Sequence, residues 1–170
     1  MGGGLALRFA ITHPHLVRAL VLVSPAGAPL DAHQWRDFVG RFQVTDIEAA
    51  EDFLDKTFYR RPYFSRWVAM ELRRRLRSPA VLQLLASTTA SDFITPLELG
   101  AIKVPILLIW GRSDGLMPSC QVDWFQKHLP PHALLEQPLR YGHAPTLEYP
   151  GELSRRVIAF IRNQASGARG

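Results

Sequence analysis

His143 sits in Tyr141-Gly142-His143-Ala144-Pro145, and Asp114 sits in Gly111-Arg112-Ser113-Asp114-Gly115. A histidine titrates near neutral pH and can take and return a proton. The glycine before His143 and the proline after it restrict the loop and hold the imidazole at a set angle. A buried carboxylate against such a ring fixes its tautomer and stabilises the imidazolium. Both residues fall in turns just beyond strand-like apolar runs, which is where open α/β sheets build their sites. Asp114 and His143 are therefore read as an orienting acid and a proton-exchanging base. The plain alternative is a loop histidine with no task. The other histidines, His13, His15, His33, His128 and His132, stand at helix or strand ends and are assigned no chemistry.

Gly111 to Gly115 also fits the G-x-S-x-G pattern of a nucleophile elbow, which would make Ser113 a nucleophile. The spacing argues against it. An elbow needs a helix to start directly after the serine, and Gly115 and Pro118 delay the next helix to about Ser119. Adjacent residues also cannot both point at one histidine from opposite sides, so Ser113 and Asp114 cannot share His143. No other acidic turn lies at a strand end between Ser113 and His143.

The elements that must position this pair follow from hydrophobic pattern. Residues 4–13 read as a helix that Pro14 ends. Ala19 to Ser24 is a continuous apolar run, as in strands buried on both faces of a parallel sheet. Val104 to Trp110 is a second such run, and His132 to Gln137 a third, shorter one. Residues 119–129 and 152–162 read as helices, and residues 140–145 as a loop. Residues 28–100 are rich in aromatics and charges with helical periodicity. They are read as three or four amphipathic helices broken near Pro62 and at Ser78-Pro79. The plan is α/β: helix, strand, helical insertion, strand, helix, strand, helix.

Bulk properties exclude several classes. The 170 residues are 47% hydrophobic and 21% charged, as in a soluble globular chain. Cys120 is the single cysteine, so neither a disulfide framework nor a cysteine metal site is expected. The net charge of +5 is largely arginine, densest at Arg73 to Arg77. That run reads as a solvated helix face, with weak contact to an anionic membrane surface as the minor alternative. No nucleic-acid partner is expected. No apolar run reaches the roughly 18 residues of a membrane span, no secretory leader is visible, and a reducing cytoplasm is the expected setting.

Three stretches carry a resemblance. W-G-x-x-D at 110–114, G-H-A-P-x-L-E-x-P at 142–150 and MGGGLALRFAITHPHLVRALVLVSPAG at 1–27 together resemble the α/β-hydrolase superfamily. The resemblance implies the C-terminal part of that fold: parallel strands six to eight with flanking helices. Residues 1–27 and 101–170 would be partial core, and 28–100 a helical cap. Asp114 would match the family's acid and His143 its base. Met1 would be the residue just after the nucleophile, its backbone nitrogen matching one oxyanion donor, and Gly2 and Gly3 would be elbow glycines. The nucleophile and the first five strands would precede Met1. The chain would then be an N-terminally truncated piece, inactive alone, with an open edge where strand five belongs and a tendency to self-associate.

The stretch from Glu51 to Pro96 is loosely similar to the caps of monoacylglycerol-lipase-like members. That implies a carboxylic ester with an apolar acyl chain, hydrolysed by serine acyl transfer without a metal or organic cofactor. The alternatives are another chemistry of the superfamily (epoxide, haloalkane or carbon–carbon bond hydrolysis), a non-catalytic remnant that binds a ligand or partner, and a chain completed in trans by a separate piece.

Overall fold

The computed structural model describes residues 2–61, 63, 65–89 and 92–167. Three strands, β1 (Leu20–Val23), β2 (Ile106–Ile109) and β3 (Leu134–Glu136), form a parallel sheet in the order β1-β2-β3. Leu22 pairs with Leu108, and Leu108 with Leu135. Parallel neighbours require long crossovers, and here each crossover carries helices. All four residues of β2 are fully buried. This explains why the run lacks the polar alternation of a half-exposed strand.

The two faces of β2 are covered by different helices. Ile106 and Leu108 share a core with Leu7 and Ala10 of α1 (Gly2–Thr12) and with Phe125 of α7 (Ser119–His128). Leu107 and Ile109 pack instead with Tyr141 and with Leu153 and Phe160 of α9 (Pro150–Gly167). The result is three layers, helix, sheet, helix, with β1 at one edge. Pro14 leads a 3-10 turn, Pro14–Leu16, that follows α1 and turns the chain toward β1.

Between β1 and β2 run α2 (Ala32–Gly40), α3 (Ile47–Thr57), α4 (Ser65–Leu76), α5 (Pro79–Ser87) and α6 (Pro96–Gly100). Asp31 and Asp46 cap α2 and α3 by accepting hydrogen bonds from backbone N–H groups of the first turns. Among the described residues this segment has five helices, against an expectation of three or four. The shortest, α6, has too few residues for periodicity to reveal. It is held by a capping box in which Thr95 Oγ1 accepts the Glu98 N–H and Glu98 Oε2 accepts the Thr95 N–H. The break at Ser78-Pro79 separates α4 from α5; the one expected at Pro62 lies outside the described residues. A further short helix, α8 (Pro145–Glu148), lies within a stretch where no helix was expected.

These helices have their own core of Val44, Ala50, Phe53, Leu54 and Ala69, and one more member, Leu116, comes from the turn after β2. The helical segment and the Asp114 turn therefore share apolar packing. Among the described residues no helix is long and apolar enough to cross a membrane.

Leu108 lies at the centre of the sheet with no exposed surface. Leu108→Ala is expected to lower unfolding stability by about 2–5 kcal/mol, through lost burial and a residual cavity. Urea denaturation measures it, and a loss below about 0.5 kcal/mol, typical of surface positions, would contradict the packing described.

Candidate active site

The apolar run of β2 ends at Trp110, and the chain must turn at once. It does so at Gly111, where an added Cβ would lie 2.1 Å from the Tyr141 carbonyl oxygen and 2.6 Å from that of Gly142. Only glycine lets the two loops approach this closely. The Ser113 N–H donates to the Tyr141 carbonyl at 3.0 Å, and the Arg112 N–H to that of Pro138 at 3.0 Å. The Ser113 hydroxyl donates to the Leu139 carbonyl at 2.8 Å. Helix α7 begins at Ser119, six residues after Ser113 and directly after Pro118.

Asp114, next along this turn, has a side chain with no solvent exposure. Its Oδ1 accepts the Leu116 and Met117 N–H groups, each at 3.0 Å. Its Oδ2 lies 3.0 Å from His143 Nδ1. A carboxylate accepts, so Nδ1 carries the hydrogen and Nε2 is left as the basic nitrogen. Three hydrogen bonds fix the carboxylate, and a buried charge without such partners would be costly. The His143 side chain is about a quarter exposed, so the pair has one wet end and one dry end.

The histidine loop is anchored on both sides. Tyr141 is buried and stacks on Tyr149, ring centroids 5.4 Å apart and 9° from parallel. Burial pushes the Tyr141 phenol up from its ordinary value. The Arg156 guanidinium lies 5.8 Å from the same ring centroid. Arg156 also bonds Glu152, at 2.9 Å, and Glu136 at the end of β3. Arg156 beside Glu152 holds that carboxyl below its ordinary 4.5.

Helix α3 closes the site from the other direction. The His143 N–H donates to the Thr57 carbonyl at 2.7 Å, and the Gly115 N–H to the Lys56 carbonyl at 2.9 Å. The last carbonyls of a helix lack intrahelical partners, and here they are satisfied by the two loops that carry Asp114 and His143. Nothing in the spacing of Lys56 and Thr57 points to this, because the groups used are backbone.

The structure thus brings Asp114 and His143 into one hydrogen-bonded pair. Gly2 opens α1 with open space where a Cβ would stand. Gly3 packs on the turn after β1, where a Cβ would lie 2.7 Å from Pro25 Cβ. Met1 lies outside the described residues. Among the described residues no group of three His, Cys, Asp or Glu side chains could hold a metal ion.

Comparison with known proteins gives the arrangement a context. The family described as "Alpha/beta hydrolase family" matches residues 1–156. A pimeloyl-[acyl-carrier protein] methyl ester esterase of Nitrosomonas europaea is 30% identical over 88% of this chain and 64% of its own length. A 2-hydroxy-6-oxo-6-phenylhexa-2,4-dienoate hydrolase of Comamonas testosteroni is 23% identical over 96% of this chain and 61% of its own length. The solved structure of the hydrolase of that name from Rhodococcus sp. strain RHA1 superposes with a TM-score of 0.77 at 21% identity, covering 95% of this chain and 61% of that one. The chain therefore spans under two thirds of the length of each of these proteins.

The Arg156 cluster sets a pH dependence. Glu152 is held below 4.5, so its contribution to stability is complete above that value and is lost as pH falls through the folded-state value. Arg156→Met is expected to lower the denaturation midpoint at neutral pH and to lower it less well below pH 4.5. Urea titrations of both proteins across this range measure it, and a deficit that stays constant would contradict the pairing.

Proposed function

The chain belongs to the alpha/beta hydrolase family, and from that premise we propose that the whole protein hydrolyses a carboxylic ester with an apolar acyl chain by serine acyl transfer. The observation that carries this reading is the 3.0 Å contact between His143 Nδ1 and the fully buried Asp114 carboxylate, on turns beyond β2 and β3. The serine would come from the part of the protein outside these 170 residues, next to Met1. The Met1 N–H would then be one oxyanion donor, with Gly2 and Gly3 opening the helix behind the nucleophile.

In this reading the serine Oγ attacks the ester carbonyl while His143 Nε2 takes its proton. Asp114 steadies the imidazolium. Collapse of the tetrahedral intermediate breaks the bond to the leaving alcohol, which takes the proton from His143. Water then attacks the acyl-serine, giving its proton to His143, and the carboxylic acid departs as the serine is re-protonated. No metal or organic cofactor takes part, and a cytoplasmic location belongs to the same proposal.

Residues 28–100, with helices α2–α6, would form a cap over the acyl chain. Exposed apolar side chains on α4 and α5, among them Trp67, Met70 and Leu82, support an apolar substrate. The name of the Nitrosomonas relative favours a methyl ester of an acyl chain, free or carrier-linked. Carbon–carbon bond hydrolysis is the second reading, favoured by the names of the Comamonas and Rhodococcus proteins. Weak contact of the Arg73 to Arg77 run with an anionic membrane surface stays a minor part of the proposal.

The test uses a protein extended by the residues encoded in frame upstream of Met1. It is expected to hydrolyse medium-chain methyl and p-nitrophenyl esters. His143→Ala should lower kcat by about a thousandfold or more, and Asp114→Asn by a comparable factor. The 170-residue chain is expected to show no turnover above background. An extended protein that cleaves only a dienoate substrate would favour the second reading. Ester turnover unaffected by His143→Ala would overturn the first.

A further inference from the structure

Glu148 ends the short helix α8, five residues after His143, and its carboxylate is used at both oxygens. Oε2 accepts the Gly142 N–H at 3.0 Å. Oε1 accepts the Arg60 N–H at 3.1 Å. The first donor is the residue before His143. The second lies just beyond α3, in the same short stretch whose Thr57 carbonyl accepts the His143 N–H at 2.7 Å. One side chain therefore ties together the two backbones that meet beneath the imidazole.

The approach of these backbones leaves no slack. A Cβ on Gly142 would stand 2.5 Å from the Thr57 carbonyl oxygen, 2.7 Å from the Tyr59 nitrogen and 2.9 Å from Glu148 Oε2. Two converging N–H groups need two acceptors. A carboxylate supplies both, whereas an amide would turn its NH2 toward one donor. Aspartate is a methylene shorter and would not reach both. The chemistry of the pocket thus selects glutamate.

We propose that Glu148 is a positioning residue for His143: by bridging the Gly142 and Arg60 N–H groups it locks the histidine loop to the segment after α3 and so sets the imidazole against Asp114. The proposal rests on the reading of His143 as the base. It goes beyond that reading in making the seating of the inter-strand helices a condition for the Asp114–His143 bond. A displacement of segment 56–60 acts on His143 through Glu148 and the Thr57 carbonyl, and on Asp114 through the Lys56 carbonyl.

The test follows the Nδ1–H resonance of His143 and the exchange of the Gly142 and Arg60 amide hydrogens by NMR, in the upstream-extended protein. Variants are Glu148→Ala and the near-isosteric Glu148→Gln, whose folds are checked by circular dichroism. In the unsubstituted protein the Nδ1–H signal should lie far downfield and vanish in Asp114→Asn. Glu148→Ala is expected to broaden or move it upfield and to speed exchange of both amides about ten- to a hundredfold. Glu148→Gln should speed exchange of one amide and leave the other protected. If exchange accelerates while the Nδ1–H signal keeps its position and width in both variants, Glu148 is only a loop staple and the proposal is overturned. Unchanged exchange in both variants overturns it as well. If the unsubstituted protein has no such signal, the reading of the Asp114–His143 pair itself fails, a result separable from either of these.

Discussion

A buried carboxylate must be hydrogen-bonded on all sides, and much of this molecule is arranged around meeting that demand at Asp114. Its two oxygens have three partners: the N–H groups of Leu116 and Met117 and the ring of His143. The first two are local, supplied by the turn itself. The third must be carried in from a separate strand and loop. The fully buried β2 delivers Asp114 to the end of the sheet, and β3 delivers the loop that ends in His143. Gly111 then lets the two loops touch backbone to backbone.

The same demand reaches into the helices between β1 and β2. A helix ends with carbonyls that have no partner within it. Those of Lys56 and Thr57 find theirs in Gly115 and His143. Leu116 completes the apolar core of Val44, Phe53 and Leu54. Polar and apolar contacts thus agree on one seat for α3, and it is the seat that holds both loops. On the far side, Tyr141 stacks on Tyr149 and meets the Arg156 guanidinium of α9, so the histidine loop is held from that layer as well.

What could be read in advance follows from which groups do the work. The three strands show in the sequence because burial on both faces demands unbroken apolar runs, and β1, β2 and β3 lie within the expected stretches. Asp114 and His143 show because glycine and proline flank them in turns after strands. Ser113 fits a motif by letters alone; its hydroxyl donates to the Leu139 carbonyl and α7 starts only at Ser119. Helices α6 and α8 are not legible in the sequence, because five and four residues are too few to set a period. The clamp from Lys56 and Thr57 was illegible because backbone carbonyls have no residue type. Glu148 lies within G-H-A-P-x-L-E-x-P at 142–150, but its two N–H partners, 6 and 88 residues away in sequence, appear only once the chain is folded.

The central claim is that Asp114 and His143 activate a serine supplied from outside these 170 residues. Labelling the upstream-extended protein with a fluorophosphonate, followed by mass mapping of the adduct, tests it most directly. The account predicts one adduct, on a serine that precedes Met1, forming about a thousandfold more slowly when His143 is replaced by alanine. An adduct on Ser113, or one whose rate ignores His143, would contradict it.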